Sequence, residues 1–289
     1  MRSGHPFMQL LELVALSLGG VLVLGGVTFA LNGAPWLGGY GGEALNLLAS
    51  QVLVFALPLL FVGWMHHRGE QRDFFRFRFG GRYWKMGLYG VLVALLLVPL
   101  NDWLTVWNDG LHFPDSLSRF EDLLRRTGEQ SQSMLLSFLG GTPLPLTLLC
   151  AAVAPAVCEE LFFRAGVQTF VRRWLGSRHA AVWITAAVFS LAHFELFAFL
   201  PRFLLGALLG YVYEYGGSIV VNALVHFVNN ALVVVAYHFY VRGCSGLDPV
   251  EPLGLDWTLT LCCTVAAVAL FVVLFLLPGR DKESVKGGR

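Results

Sequence analysis

With 289 residues, 56% of them hydrophobic and only 13% charged, and a mean hydropathy of +0.65, the chain is too apolar for an ordinary soluble domain and reads as an integral membrane protein. A formal charge of +1 leaves no electrostatic footprint for a nucleic-acid partner. The five cysteines, Cys150, Cys158, Cys244, Cys262 and Cys263, are odd in number and four lie in apolar segments, so no disulfide framework follows.

A crossing needs about 20 residues, which predicts about eight transmembrane helices, near 7–31, 44–65, 86–107, 143–164, 180–200, 202–216, 218–240 and 257–277. The first run, about 25 residues long, exceeds the h-region of a secretion signal and is expected to stay as an uncleaved helix. The sixth opens on Leu200-Pro201-Arg202 and closes at Glu214 to Gly217, short enough that a re-entrant segment is the alternative. Lys and Arg test the count, because cytoplasmic loops are enriched in them. With the N-terminus cytoplasmic, the inner set is Arg2, the six basic residues of 68–85, Arg164, Arg172, Arg173, Arg178 and the four of the tail. That is 15 of the 20 basic residues, which supports both termini inside and a location in the cell membrane.

The organisation expected is all-α and polytopic with an intramembrane site. Residues 1–142 form a scaffold of three spans and an outer loop, 143–240 carry the candidate site, and 241–289 hold the last span and a polar tail from Gly279. The 66–85 loop mixes its basic residues with Phe74, Phe75, Phe77, Phe79, Tyr83 and Trp84, which suits an anionic bilayer interface. In the outer loop, Leu117, Phe120, Leu123 and Leu124 recur at helical spacing among Glu121, Asp122, Arg125 and Arg126. They predict an amphipathic helix on the membrane surface, with a lid over a cavity as the sharper alternative. Glu12 and Asp102 are expected at interfaces.

Three predicted helices place ionisable groups within apolar runs, where each costs ~3 kcal/mol or more at the bilayer centre. On the fourth, Glu160 and Arg164 lie about 40° apart and can pair, whereas Glu159 lies about 140° from Arg164. This divides the pair of acids into a clasped Glu160 and an available Glu159. The competing reading is that Arg164 marks the cytoplasmic end of the span and both acids are solvated there. On the fifth, Phe189 and His193 share a face, while Glu195 is turned away and is expected at the outer interface. A lone buried histidine is more often a hydrogen-bonded core residue than a catalyst. On the seventh, Asn222, His226 and Asn230 form one polar stripe with Asn229 beside it, either inter-helix glue or part of a site shared with Glu159 and His193.

Glu159-Glu160-x-x-x-Arg164, Phe189-x-x-x-His193 and His226-x-x-x-Asn230, in that order, resemble the three motifs of the CPBP (ABI) family. That family comprises CAAX-type prenyl-protein endopeptidases similar to Rce1 and bacteriocin-processing or self-immunity membrane proteins. Gly206-x-x-x-Gly210 and the turn at Tyr215-Gly216-Gly217-Ser218-Ile219 resemble the stretch before its third motif, and Ala165 stands where the family usually has Gly. The resemblance spans about 143–240. It implies a glutamate-type intramembrane endopeptidase acting on a membrane-associated protein or peptide, with no cofactor and no nucleic-acid partner. In that reading Glu159 is the general base, His193 shares the water or its proton, His226 and Asn230 form the oxyanion site, and Glu160 with Arg164 buttresses the first motif.

Other readings use the same residues. Glu159, His193 and His226 could ligate zinc, although the chain lacks His-Glu-x-x-His. Cys158 could be a nucleophile, though it sits about 100° from Glu159. A non-catalytic scaffold or bacteriocin-immunity protein, or a proton-coupled transporter, would keep the polar groups for binding or relay.

Overall fold

The computed structural model describes residues 4–31, 39–68, 70–244, 246 and 253–273, and these are helical apart from turns, with no strand among them. Ten helices are labelled here: α1 Pro6–Ala30, α2 Gly39–His66, α3 Gly81–Leu96, α4 Val98–Asp109, α5 Ser118–Gly141, α6 Leu144–Leu175, α7 Arg178–Leu191, α8 Phe199–Gly216, α9 Ile219–Val241 and α10 Trp257–Phe271. Arg2 and the tail from Gly279 with its basic residues lie outside the described residues, as do the last positions of the predicted 257–277 span.

The fold is the expected polytopic all-α bundle, but the spans are less uniform than eight equal crossings. By length and apolarity, α1, α2, α6, α8 with its leading turn from Leu196, and α9 can each cross a bilayer. The pair α3 and α4, bent by 48°, makes a sixth. Pro99 explains the bend, because it lacks an N–H and its ring crowds the preceding turn. The predicted fifth span, 180–200, is instead the 14-residue α7. Its chain leaves the helix at Ala192 and turns through Phe194, whose φ of 56° is left-handed.

Two spans contain π-helical stretches for a common reason. Gln51–Ala56 precedes Pro58, and Leu149–Val153 precedes Pro155. A proline cannot donate to the carbonyl four residues back, so the register widens just ahead of it. A third, Leu161–Gln168, follows the two acids, and there the Thr169 hydroxyl donates to the Arg164 carbonyl at 2.9 Å.

The fourth span corrects the sequence reading most. It does not end at Arg164 but runs on to Leu175, which puts Glu159, Glu160 and Arg164 in mid-helix, all three buried. Arg164 is 0% exposed, so it is not an interfacial charge and drops out of the inner set. Packed around this segment are Leu13, Leu59, Phe162, Phe163, Phe170, Phe189 and Tyr213. Phe74 and Phe75 belong to the same core, so the 66–85 segment is not simply interfacial but driven into the bundle by two rings. Phe77, Phe79 and Trp84 remain exposed, as expected.

α1 crosses α2 closely at Gly20, where a Cβ would meet the Leu53 carbonyl carbon at 2.8 Å. Small residues permit such approaches between membrane helices. Gly20→Ala should therefore destabilise the protein by about 1–3 kcal/mol in thermal unfolding, the range typical of overpacking. Gly25→Ala, at a position with open space around it, should not.

The outer loop forms α5, longer than its amphipathic pattern suggested. Phe138 and Leu139 at its C-terminal end are buried against Cys150, Val234 and Tyr237. Its N-terminal end is pinned at Glu121, which accepts from the Phe113 N–H at 2.7 Å, from Arg125 Nε at 2.9 Å and from His112 at 2.8 Å. Foremost the Phe113 N–H, then the Arg125 guanidinium, hold the Glu121 carboxyl at about 2 against its ordinary 4.5. A depressed carboxyl contributes its stability in full above the unfolded value and loses it as pH falls through the folded one. The 110–125 region should thus loosen as pH drops from about 4.5 toward 2, read by limited proteolysis, and Glu121→Gln should remove that dependence.

Candidate active site

Glu159, His193, His226 and Asn230 line one cavity of about 280 Å³. α6 contributes Ala151, Pro155 and Glu159, the end of α7 contributes Phe189 with His193 just beyond it, and α9 contributes His226 and Asn230. Leu135 and Leu139 of α5 also line it, so the outer helix is a wall of the cavity as well as a surface element. Residues far apart in sequence meet here because the polar stripe of α9 packs on α6 at the level of the two acids.

The two acids separate as their helical angles require. Glu160, 0% exposed, receives Arg164 Nε at 3.0 Å, the expected clasp. It also binds two groups of α9 that the sequence reading had not tied to it. Asn222 Nδ2 donates to Oε2, and His226 Nδ1 sits 2.9 Å from Oε1. The clasp is therefore a junction between α6 and α9, and it fixes the orientation of the His226 ring. The Arg164 guanidinium carbon lies 5.4 Å from the Phe189 ring centroid, and its two terminal nitrogens have no hydrogen-bond partner among the described residues.

Glu159 is nearly as buried but, among the described residues, keeps only one hydrogen bond, Gln51 Nε2 donating to its Oε1 at 3.1 Å. Gln51 was missed by sequence reasoning. The signal was present, a lone amide at the start of the apolar run 51–62, but nothing in the sequence said which helix it faced. Gln51 holds one carboxylate oxygen, leaving the other for the cavity.

His193 is not on its helix but in the turn that follows it, with Nδ1 2.8 Å from the Phe189 carbonyl. The carbonyl fixes Nδ1 as the donor, so Nε2 is the nitrogen left for the cavity. That turn is stapled from a distance by Asn108, a second residue the sequence reading passed over. Asn108 Nδ2 donates to the Leu196 carbonyl at 3.2 Å, and its Oδ1 accepts from the Leu200 N–H at 2.8 Å. Ser190 Oγ adds a bond to the Phe199 carbonyl at 2.7 Å, and Arg202 pairs with Glu195. Glu195 is thus the ion-pair partner of Arg202, which lines the cavity, rather than a free interfacial acid. Asn229 Nδ2 donates to Asn230 Oδ1 at 3.3 Å, which leaves Asn230 its own amide N–H groups.

Cys158 is buried and does not line the cavity. Glu12 pairs with His66 at 2.6 Å, and Asp102 accepts from the Leu253 N–H, and neither residue lines the cavity. Among the described residues, no three His, Cys, Asp or Glu side chains converge as a group that could hold a metal ion.

The cavity opens at the end of the bundle that carries α5, the 192–199 turn and the C-terminal end of α9. The competing reading, with Arg164 at the cytoplasmic end of the span and both acids solvated there, is therefore not met. The 66–85 segment, Arg172 and the α8–α9 turn gather at the opposite end, and Phe7 against Trp174 puts the start of α1 there too. The misplacement followed from reading Arg164 as a boundary residue.

Residues 141–232 match the family model for type II CAAX prenyl endopeptidase Rce1-like. No curated protein and no solved structure matches the chain. The matched stretch contains Glu159, Glu160, Arg164, His193, His226 and Asn230, and it sits within a bundle of long apolar helices. The chain carries an Rce1-like CAAX-type endopeptidase domain and is an integral membrane peptidase.

Proposed function

We propose that the protein hydrolyses a peptide bond in a membrane-associated protein or peptide precursor by glutamate-type catalysis. The observation that carries this reading is the convergence of Glu159, His193, His226 and Asn230, from two helices and the turn that follows a third, on one cavity inside an apolar bundle. Charged and polar groups at membrane depth are costly and mark function. A cavity of about 280 Å³ with several polar partners is roomy enough for water.

Glu159 takes a proton from a water held between its free oxygen and His193 Nε2, and the resulting hydroxide attacks the scissile carbonyl carbon. His226, oriented by Glu160 through Nδ1, turns Nε2 to the developing oxyanion, and Asn230 Nδ2 donates beside it. The proton on Glu159 then passes to the leaving amine as the carbon–nitrogen bond breaks, returning the carboxylate. Gln51 and the Asn108 staple hold Glu159 and the His193 turn in place, and Glu160 with Arg164 and Asn222 ties α6 to α9. No cofactor enters these steps. A zinc reading through Glu159, His193 and His226 gains no support from the side-chain arrangement.

With the start of α1 at the basic face and that face toward the cytoplasm of the cell membrane, the cavity opens on the other side. The test compares the membrane peptidome of cells carrying the wild-type protein with that of cells carrying Glu159→Gln. A precursor should accumulate, and its fragments vanish, in the variant. No accumulating precursor would sink the proposal, and stoichiometric zinc whose removal stops cleavage would overturn the glutamate mechanism.

A further inference from the structure

The end of the bundle opposite the cavity is built from three stretches distant in sequence. The 68–85 segment is locked onto the α8–α9 turn: the Ile219 N–H donates to the Arg76 carbonyl at 3.1 Å, and Ser218 Oγ to the Arg78 carbonyl at 2.6 Å. Arg76 Nη1 in turn reaches the Tyr213 carbonyl at 3.1 Å. The end of α6 joins through Arg173, whose guanidinium carbon lies 5.9 Å from the buried Phe74 ring, and Arg178 of α7 lies over Tyr215. Phe74 and Phe75, seated in the core, make this a fixed platform rather than a loose loop.

The platform carries the six basic residues of 68–85 together with Arg172, Arg173 and Arg178, against the carboxylates Glu70, Asp73 and Glu214. Glu214 is spent on Arg172. Asp73 lies 3.9 Å from Arg78, and both are largely solvated. The side chains of Arg72, Arg82 and Lys85 are exposed and, among the described residues, make no hydrogen bond or ion pair within the protein. Exposed Trp64, Trp84, Trp174 and Phe79 stand at the same end, the residue types that settle at the headgroup level of a bilayer. The cavity end is different, because Arg125 there is consumed by Asp109 and Glu121, and Arg119 and Arg126 stand among the acids Asp115, Asp122 and Glu129.

We propose that this platform is a binding face for the phosphate headgroups of anionic phospholipids in the leaflet it meets. Unpaired cations on a rigid surface, ringed by interfacial aromatics, fit a negatively charged headgroup layer. Each Lys or Arg near such a surface is worth about a fivefold change in binding. Three removed together amount to a loss on the order of 100-fold.

The test uses the full chain reconstituted in vesicles of phosphatidylcholine and phosphatidylglycerol at 4:1, extracted with its surrounding lipid by a styrene–maleic acid polymer. Phosphatidylglycerol should be enriched several-fold over the bulk around the wild-type protein. In Arg72→Gln/Arg82→Gln/Lys85→Gln, whose side chains hold nothing in the fold, the enrichment should fall to the bulk ratio. Arg119→Gln/Arg126→Gln on α5 should leave it unchanged, and inorganic phosphate at the lipid's concentration should not displace it. Equal lipid ratios in the wild type and the triple variant, or an equal loss in the α5 variant, would overturn the proposal. Displacement by inorganic phosphate would overturn the assignment to lipid.

Discussion

Glu160→Ala is expected to cost about 3–5 kcal/mol of stability, the penalty for leaving a buried charge without its partner. The Arg164 guanidinium, 0% exposed, would lose its Glu160 carboxylate, and Asn222 and His226 would lose their shared acceptor in the same stroke. Against a total folding stability of about 5–15 kcal/mol for a typical domain, this is a large fraction. Arg164→Ala strands the carboxylate in turn, although Asn222 and His226 still donate to it, so its cost should be the smaller of the two. A paired replacement, Glu160→Leu with Arg164→Met, should recover much of the loss, because a buried ion pair is often no better than apolar residues of similar volume. Thermal unfolding in detergent micelles reads all three. A loss below about 1 kcal/mol in Glu160→Ala would mean that the clasp does not hold the bundle together. The paired variant, stable but with an unoriented His226 ring, should remain inactive, which separates the structural role of Glu160 from its effect on the site.

Asn230→Ala should lower kcat by about 10²–10³-fold with little change in KM, as expected when a donor to an oxyanion is removed. Its Oδ1 is occupied by Asn229, so the group it offers the cavity is an N–H donor. Asn230→Asp should be at least as damaging, since it substitutes an acceptor for that donor at nearly constant volume. Asn229→Ala, which removes only the orienting bond, should have a smaller effect. The assay is cleavage of the precursor that accumulates in Glu159→Gln membranes. A matching rise in KM with unchanged kcat would make Asn230 a substrate-binding residue instead of an oxyanion donor.

Much of this site was legible because its chemistry is local. A carboxylate and a guanidinium four residues apart on a helix must share a face, and that geometry alone separated Glu160 with Arg164 from Glu159. The order of Glu159, His193, His226 and Asn230 along the chain likewise pointed to one site on several helices, which the cavity brings together. What escaped were single polar side chains whose partners lie far away. Gln51 meets Glu159 across 108 residues and Asn108 meets Leu196 across 88, and neither contact leaves any periodicity in the sequence. The end of the fourth span escaped for a different reason. An arginine at the end of an apolar run reads as a membrane boundary, and only burial by α9 and the aromatic core lets the helix carry it through to Leu175.

By itself, the sequence determined that the chain is a polytopic helical membrane protein, and which charged residues had to find partners within it. Apolarity, helical spacing and the cost of a charge in lipid act on neighbouring residues and need no fold to operate. Only the tertiary structure decided that Glu160 is the junction of two helices, that the His193 ring is presented from a stapled turn, and that the cavity opens away from the basic face. Those outcomes depend on how helices rotate and slide against one another. Side-chain volume, proline-driven register shifts and buried hydrogen bonds between distant segments set that packing, and none of them is expressed in the order of residues along one helix.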